Sequence, residues 1–508
     1  MGTRRDFNAG LASLAFGGLA LAGCGRLSKV GDYAKRLPDY SSGRVVDRAY
    51  YGPLEEKAGS LIDLPPGFSY EVISCHEPRS AELHEAARSC VARGGHRLEG
   101  GARVPDNFDG MASFCVPGRD DLVALVRNHE LDGKDRLKGA YPDGVPDDVV
   151  AYRPKAGVPV APGGTTNLLY DMGTGEVVQS LSLIGTRRNC AGGAAPWGSW
   201  LTCEENSSAG HGYVFDVPAL ARGPVEAVPL THLGRFEHEA VAIDPKTGIA
   251  YLTEDEIDSL LYRYVPPPGG DARQPGGRLE ALSLGAGKRN DTRNWRRDDW
   301  PDGAVREVGW VDLTDLVSRG EEILLRKEGA RREAAIFANG EGIHFDALTG
   351  ELYFVATSGG RIKSGQVMRL ECAREGRPDR LHLFSEATDT RRINYADNLV
   401  VAPNGHLVVC EDPYLGGEGN YLLRGLDTKL GFDSAPCYLR GITPQGELYD
   451  LARLRTGSEF AGACFSPKGD ILFVNIYSPG MTLAIRGPWD PPRPGWSLCP
   501  ASEGAGGL

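Results

Sequence analysis

The sequence has few stretches with the apolar periodicity of an α-helix, and it is rich in residues that end helices. Its 508 residues include 68 Gly and 34 Pro, which a helical bundle or a coiled coil could not accommodate. Disorder is excluded as well, because hydrophobic residues make up 41% of the chain and aromatic residues 8%, enough to bury a large core. A fold built from strands and turns remains.

Several kinds of site are also missing from the sequence. There is no basic stripe, and the net charge is -12, from 68 acidic and 56 basic residues, so we expect no nucleic-acid partner. No C-x-x-C spacing occurs, which excludes the usual structural zinc sites. The segment Gly163-Gly164-Thr165-Thr166 is not followed by Lys and is therefore not a P-loop. The acidic excess instead fits a protein that binds several cations.

The N-terminus has the features of an export signal. Arg4-Arg5 precedes an apolar stretch from Leu11 to Leu21, which is too short and too rich in Gly and Ala to span a membrane. Paired arginines in this place are typical of twin-arginine signals. We therefore predict a signal peptide at residues 1–24 and export by the twin-arginine machinery, to the periplasm or the extracytoplasmic membrane surface.

The end of this signal resembles a bacterial lipobox. It reads Leu-Ala-Gly-Cys at residues 21–24, and in a lipobox the cysteine is acylated after cleavage. Cys24 would then anchor the mature protein to a membrane. A plain signal peptide that is cut nearby is the alternative.

The body of the chain repeats one pattern after a linker at residues 25–64. A short apolar strand, often preceded by a turn of Asp, Pro and Gly, occurs at residues 122–130, 198–205, 248–255, 350–357, 405–412 and 469–475. Strands that recur in this way are typical of β-propellers. We predict that residues 65–508 form a single all-β domain, a six-bladed β-propeller with loop insertions and a short N-terminal extension. An assembly of several β-sandwich sheets is the alternative.

Several of the repeated strands end in carboxylates, and equivalent strands of a propeller would bring these ends together. The acids are Glu130, Glu204 or Glu205, Glu254 or Asp255, and Glu411 or Asp412. Each unpaired buried charge costs several kcal/mol, so such a group needs cations. Hard ions with oxygen ligands, Ca²⁺ above all, are expected. Taken one at a time, each of these acids is better explained as a solvated turn residue, and only the set of four at the same phase of the repeat favours a cation site.

Other ligand-type residues lie beside strands. Cys190 is followed by two glycines at positions 192 and 193, and a thiolate among carboxylates favours a transition metal such as iron. Glu239 ends the segment Gly-Arg-Phe-Glu-His-Glu, Glu341 lies between two glycines, and Asp397 precedes an apolar strand. An inert buried thiol and ordinary turn acids are the alternatives.

Together these segments resemble the PhoX family of bacterial alkaline phosphatases. The resemblance rests on the twin-arginine start, on Asn-Cys-Ala-Gly-Gly and Pro-Trp-Gly-Ser-Trp-Leu-Thr-Cys-Glu-Glu within residues 189–205, and on Gly-Arg-Phe-x-His-Glu at 234–239. It also includes Asp-Asn-Leu at 397–399 and Pro-Asn-Gly-x-Leu at 403–407. The matching segments occur in the same order as in the family, and the resemblance extends from about Asp109 to Trp489.

The resemblance implies a six-bladed propeller whose central cluster of iron and calcium ions, Fe³⁺ and Ca²⁺ linked by an oxo bridge, hydrolyses small phosphate monoesters. The iron-bound cysteine corresponds to Cys190. The metal-binding glutamates correspond to Glu205, Glu239 and Glu341, which we also expect to be catalytic. Glu254, Asp255 and Asp397, whose surroundings match less closely, complete the implied metal ligands.

Position 339 departs from the family pattern. In these phosphatases an arginine that helps to hold the phosphate lies two residues before the later glutamate, whereas this chain has Asn339. Losing a guanidinium removes a bidentate partner for phosphate oxygens. The arginines that could replace it are Arg187, Arg188, Arg361, Arg391 and Arg392.

The sequence therefore predicts a periplasmic, metal-dependent phosphomonoesterase. One alternative is a calcium-dependent lactonase or related esterase, a chemistry that six-bladed propellers also support but that has no use for Cys190. The other is a non-catalytic propeller that Ca²⁺ stabilises and that binds a partner through its loops.

Overall fold

The structure, a computed structural model, describes residues 46–499 except 58, 77–84, 156, 287–289, 297–299, 302, 374–375 and 413–435. The predicted signal, Cys24 and most of the predicted linker lie outside the described residues. In the part that is described, no helix is long and apolar enough to cross a membrane.

Strands dominate the regular structure, because short runs of Val, Ile, Leu, Phe and Tyr alternate with turns rich in Gly, Asp and Pro. The strands of the first half are β1 (Ile62–Asp63), β2 (Ser69–Cys75), β3 (Phe108–Val116), β4 (Arg119–His129), β5 (Ala161–Asp171), β6 (Val177–Gly185), β7 (Asn189–Ala195), β8 (Ser199–Glu204), β9 (Val214–Pro218), β10 (His238–Ile243), β11 (Ala250–Glu254), β12 (Tyr262–Val265) and β13 (Arg278–Ser283). Those of the second half are β14 (Val305–Asp312), β15 (Gly340–Asp346), β16 (Glu351–Ala356), β17 (Gln366–Glu371), β18 (Asp379–Glu386), β19 (Ala396–Val401), β20 (Leu407–Glu411), β21 (Cys437–Ile442), β22 (Leu448–Leu454), β23 (Phe460–Phe465), β24 (Ile471–Ile476) and β25 (Met481–Arg486).

Helices are short in the described residues. They are α1 (Glu85–Ala92), α2 (Thr314–Val317) and α3 (Leu325–Arg331), with 3₁₀ turns at Gly133–Lys138, Thr231–Leu233 and Gly320–Glu322. The scarcity of helical periodicity in the sequence predicts this.

The described strands form five antiparallel sheets. Three contain β3-β4-β5-β6, β7-β8-β9 and β2-β25-β24-β23, and a fourth contains β1-β22-β21-β20-β19. In the fifth, β10-β11-β12-β13 continue through β14 into β18-β17-β16-β15, which makes nine strands. The N-terminal strands β1 and β2 thus complete sheets that are otherwise built from the end of the chain.

Six strands contact one another in a closed ring. β3 contacts β7, β7 contacts β10, β10 contacts β15, β15 contacts β19, β19 contacts β23, and β23 contacts β3. The sheets are therefore arranged around a central axis, as in a propeller. The predicted all-β, propeller-like fold is confirmed, while the number of six blades stays a prediction.

The strands that the sequence pattern identifies are not these inner strands. They are β4, β8, β11, β16, β20 and β24, each of which pairs directly with one inner strand. The repeated sequence pattern therefore corresponds to structurally equivalent strands, but these strands are the second from the axis in each unit.

The inner strands approach one another so closely that glycine is required. A Cβ atom on Gly193 would lie 1.8 Å from the Val241 carbonyl oxygen, and one on Gly110 would lie 2.6 Å from the Ala191 Cα atom. Contacts this short would force neighbouring strands apart, so these glycines allow the ring to close.

Apolar side chains fill the spaces between successive sheets. In one such layer, Leu201 and Val214 of the β7-β8-β9 sheet pack with Val241 and Leu252 of the next sheet. At the periphery, a disulfide between Cys115 at the end of β3 and Cys499 ties the C-terminal segment to the ring.

Candidate metal centre

A β-bulge occurs at the same point in all six inner strands. The pairing of each with its outer neighbour shifts after Phe108, Asn189, His238, Gly340, Ala396 and Ala461. Such bulges change the direction in which a side chain points. The residues that follow the shift are Asp109, Cys190, Glu239, Glu341, Asp397 and, in β23, Gly462. The bulges therefore bring five ligand-type side chains, one from each inner strand except β23, to the same level of the axis.

These side chains form two overlapping groups with the spacing of metal ligands. Ligand atoms of Cys190, Glu205 and Glu239 lie within 4.8 Å of one another, and so do those of Glu239, Glu341 and Asp397. Glu239 belongs to both groups. Together with Asp109, whose Oδ2 accepts a hydrogen bond from the Cys190 thiol at 3.4 Å, these six residues are called the axial cluster below: Asp109, Cys190, Glu205, Glu239, Glu341 and Asp397.

The centre of the axial cluster contains carboxylate oxygens without partners. Glu239 is completely buried, and neither of its carboxylate oxygens has a hydrogen-bond partner among the described residues. Oδ1 of the buried Asp109 also lacks a hydrogen-bond partner among the described residues. Because a buried charge without a partner costs several kcal/mol, this arrangement calls for a positive ion.

Burial and charge repulsion both act on the titration of the cluster. Burial raises the pKa of Glu239, Glu341 and Asp397 well above the usual values, and the negative charge of neighbouring carboxylates raises it further. The pKa of the Cys190 thiol is raised in the same way, first by burial and then by Asp109. Bound cations would reverse this balance, since they stabilise the ionised forms.

The set of donors fits the ions that the sequence predicts. Five carboxylates supply the oxygen ligands that Ca²⁺ prefers. Cys190 adds one sulfur, which suits a transition metal such as iron. Residues on several strands converge here, so the site depends on closure of the ring.

Arg188 lies at the edge of the axial cluster and bridges two acids. Its Nε donates to Glu130 Oε1 at 2.8 Å, and its Nη2 lies 2.6 Å from Glu205 Oε2. The second oxygen of Glu130 accepts a hydrogen bond from the Tyr477 hydroxyl. Burial opposes the charged form of Arg188, but the carboxylates of Glu130 and Glu205 together raise its pKa.

Where the sequence offers two successive acids, the structure separates them. The first acid of each pair ends its strand and is bound by other protein groups. Glu204 accepts from backbone N–H groups of Arg187 and Gly212, both at 2.9 Å, and Glu411 accepts from Arg440 Nε at 2.8 Å. These two acids stabilise loops and sheets, and they lie outside the axial cluster.

Glu254, which the sequence predicts as a metal ligand, also ends its strand and is bound by other protein groups. Its carboxylate accepts from the Tyr262 hydroxyl at 2.8 Å and lies 3.3 Å from Arg326 Nη1. Those contacts occupy it, and the structure does not bring it into the axial cluster. Glu254 ends β11 as Glu204 ends β8, and this equivalent position explains why both side chains point away from the axial cluster.

The second acid of each pair points the other way, because successive side chains of a strand alternate in direction. Glu205 enters the axial cluster, and the charges of Asp255 and Asp412 help to raise the pKa of Asp397. Asp255 also accepts a hydrogen bond from Asn339 Nδ2 at 2.7 Å. Asn339 therefore lies beside the cluster with its amide already engaged.

Asp109 is the member of the axial cluster that no pattern in the sequence predicts as a ligand. It lies at the start of β3, where the segment Phe108-Asp109-Gly110 contains a single acid that is not conspicuous alone. The available signal is the glycine that follows, since Glu341 is also followed by a glycine. A Cβ atom on Gly342 would lie 2.7 Å from the Asn398 Cα atom, so an acid–glycine pair at the start of an inner strand marks this position.

Comparison with known proteins adds a family and a fold. The family model described as alkaline phosphatase PhoX matches residues 49–169 and 162–480. A structure of Pseudomonas fluorescens PhoX in complex with vanadate, a transition state analogue, is similar over 86% of this chain and 98% of that chain, with 18% identity and a TM-score of 0.60. No protein of curated function matches the sequence.

Two gluconolactonases are more distantly similar. The one from Xanthomonas campestris has 14% identity and a TM-score of 0.36, over 83% of this chain and 99% of that chain. The periplasmic gluconolactonase PpgL of Pseudomonas aeruginosa has 15% identity and a TM-score of 0.34, over 77% and 88%. Similarity this low carries no argument about function.

Proposed function

The chain belongs to the alkaline phosphatase PhoX family, which makes it a phosphoric monoester hydrolase, and we propose that its reaction takes place at the axial cluster. The observation that carries this proposal is the carboxylate of Glu239, which is buried, lacks hydrogen-bond partners and is shared by both ligand groups. A carboxylate in that position is compatible with a stable fold when cations neutralise it.

The residues divide into two sets by their chemistry. Cys190, Glu205 and Glu239 would hold iron, because this set contains the sulfur. Glu239, Glu341 and Asp397, with Asp109 beside them, would hold calcium through oxygen alone. Bound ions of this kind supply a water-derived nucleophile near neutral pH and neutralise charge on the phosphoryl oxygens.

The chain's own residues prepare the site for that chemistry. The bulges aim five side chains at one point of the axis. Glu341 and Asp397 are partly exposed, whereas Cys190 and Glu239 are buried, so a substrate would enter from the side of the first two. The substrate class is a small phosphate monoester.

We assign six blades to the propeller. The ring of inner strands has six members, and the nine-stranded sheet divides into β10–β13 and β15–β18, which β14 joins. Each of the six units then begins with one inner strand. A bulge at the same level in all six of them supports the equivalence.

The protein would work outside the cytoplasm. Arg4-Arg5 and the apolar segment that follows support twin-arginine export, and the lipobox-like sequence at Cys24 supports a lipid anchor. The Cys115–Cys499 disulfide supports an oxidising compartment. The export machinery and a membrane surface are thus the partners we propose.

Metal analysis combined with one activity assay tests the proposed function. The purified protein is expected to contain iron and calcium and to hydrolyse an aryl phosphate, and chelation is expected to abolish the hydrolysis. Calcium without iron would favour a lactonase or a binding propeller, and a lactone substrate would distinguish these two. A protein that contains both metals and yet leaves the aryl phosphate intact would refute the proposal.

A further inference from the structure

The axial cluster is acidic, and a partly exposed guanidinium borders it at Glu205. The side chain of Arg188 is 38% exposed, compared with 12% for Glu130 and 7% for Glu205. Among the described residues, it is the cationic side chain that directly contacts a member of the axial cluster. A phosphate monoester that binds over Glu205 would therefore meet this charge.

The backbone holds Arg188 in place. Its N–H donates to the Leu131 carbonyl at 3.0 Å, and its own carbonyl accepts from the Glu205 N–H at 2.9 Å. Its φ of 45° lies in the left-handed region, which non-glycine residues rarely adopt. Surrounding contacts must impose this conformation, and unusual conformations of this kind concentrate at functional sites.

The guanidinium retains donors after its two acids are bound. It has five N–H groups in a planar fork, and the contacts with Glu130 and Glu205 engage Nε and Nη2. The remaining N–H groups, those of Nη1 among them, can donate to an anion. Because the two acids fix the plane of the fork, little side-chain entropy would be lost when the anion binds.

We propose that Arg188 binds a phosphoryl oxygen of the substrate and thereby determines the affinity of the site for phosphate monoesters. The proposal rests on the phosphatase function proposed above. It assigns to Arg188 the contact that Asn339 does not supply, since the Asn339 amide donates to Asp255 and its oxygen accepts from the Ser358 hydroxyl.

Substitution of Arg188 tests this role in the metal-loaded enzyme. Arg188→Gln should raise KM for an aryl phosphate and the inhibition constant for inorganic phosphate by about tenfold or more, the value of one charge-assisted hydrogen bond. Iron and calcium contents should not change. Arg188→Lys should recover part of the affinity, because it keeps the charge but not the fork.

The neighbouring arginine provides a matched control. Arg187 donates to the Ser208 hydroxyl at 3.1 Å and lies 3.8 Å from Asp132, so Arg187→Gln should leave both constants unchanged. If Arg188→Gln does not fold, Glu130→Gln still tests the idea with the opposite sign. The Gln amide oxygen can still accept from Arg188 Nε and orient the fork, while the loss of a competing negative charge should tighten the binding of inorganic phosphate.

Each outcome has a distinct meaning. An unaltered phosphate inhibition constant in Arg188→Gln, or metal loss that accounts for its whole defect, would overturn the proposal and leave Arg188 with the structural task of holding Glu205. Weaker or unchanged phosphate binding in Glu130→Gln would also count against it. A wild-type enzyme without phosphatase activity would instead refute the proposed function.

Discussion

The Sγ atom of Cys190 donates a hydrogen bond to Oδ2 of Asp109 across 3.4 Å, although 81 positions separate the two residues in the chain. They occupy the same place in neighbouring inner strands, directly after the β-bulges of β7 and β3. The contact shows how the ring brings ligands together. Five of the six inner strands each contribute one side chain, and closure of the ring brings these side chains within reach of one another.

Cys190 and Cys203 should respond differently to the same substitution. Cys190→Ala is expected to reduce iron content and activity while the protein stays folded, because Cys190 belongs to the axial cluster. Cys203 is completely buried in the apolar layer beside β10, so Cys203→Ala should lower the free energy of unfolding by about 1 to 3 kcal/mol. Metal analysis and denaturant unfolding of both variants measure the difference. Unchanged iron in Cys190→Ala would contradict the ligand assignment.

Asn339 is expected to limit turnover. Its position beside Asp255, at 2.7 Å, places it at the cluster, and Asn339→Arg would introduce a guanidinium there. We expect kcat/KM for an aryl phosphate to rise about ten- to hundredfold, which corresponds to about 1.4 to 2.7 kcal/mol. Asn339→Ala serves as the control, since it breaks the same hydrogen bond without adding charge. An equal change in both variants would argue against an effect of charge.

Glu411 should make the stability of the fold depend on pH. Burial raises its pKa to about 7, although Arg440 acts in the opposite direction. Because this pKa is raised, the folded state binds the Glu411 proton more tightly than the unfolded chain does. The stabilisation of the fold by this proton is complete below the unfolded pKa of 4.5 and is lost as the pH rises through about 7. The loss could approach about 3 kcal/mol.

Comparison of two variants isolates this effect. In Glu411→Gln, the free energy of unfolding should fall less steeply between pH 4.5 and 7. Glu447→Gln is a suitable control, because Glu447 lies in an exposed ion pair with Arg48. Parallel pH profiles for wild type and Glu411→Gln would show that Glu411 does not titrate in this range.

The disulfide is expected to stabilise the mature protein. It connects Cys115 and Cys499 over a separation of 384 residues, and a cross-link of this kind typically contributes about 2 to 4 kcal/mol. Cys499→Ser and reductant should therefore lower the thermal midpoint to a similar extent. Cys372→Ser, which removes a free and partly exposed thiol, should respond to reductant as the wild type does. A thermal midpoint that neither change affects would exclude a stabilising role.

Export should depend on the arginine pair. Replacement of Arg4 and Arg5 by Lys should leave uncleaved precursor in the cytoplasm, because the twin-arginine receptor recognises the pair itself. Cell fractionation detects this result. Labelling with a fatty-acid analogue tests Cys24 separately, and unlabelled soluble mature protein would refute the anchor alone.

Much of this protein could be inferred from local patterns. The strand repeat, the scarcity of helices and the segment around Cys190 are properties of neighbouring residues, and short-range order is sufficient to recognise them. The family follows from the same segments. The sequence also predicts that Cys190, Glu205, Glu239, Glu341 and Asp397 act together, and the structure places these five residues in contact groups.

The tertiary structure alone decided which acid of each pair reaches the axis. Glu204 and Glu205 differ by one position, and a shift of one residue along a strand reverses the direction of the side chain. The sequence pattern does not show which of two neighbouring acids faces the axis. Glu254 is therefore predicted as a ligand, although its carboxylate contacts Tyr262 and Arg326 outside the axial cluster. Asp109 and Arg188 become part of the site for a related reason: they come from separate strands and loops, and only closure of the ring around the axis brings them together.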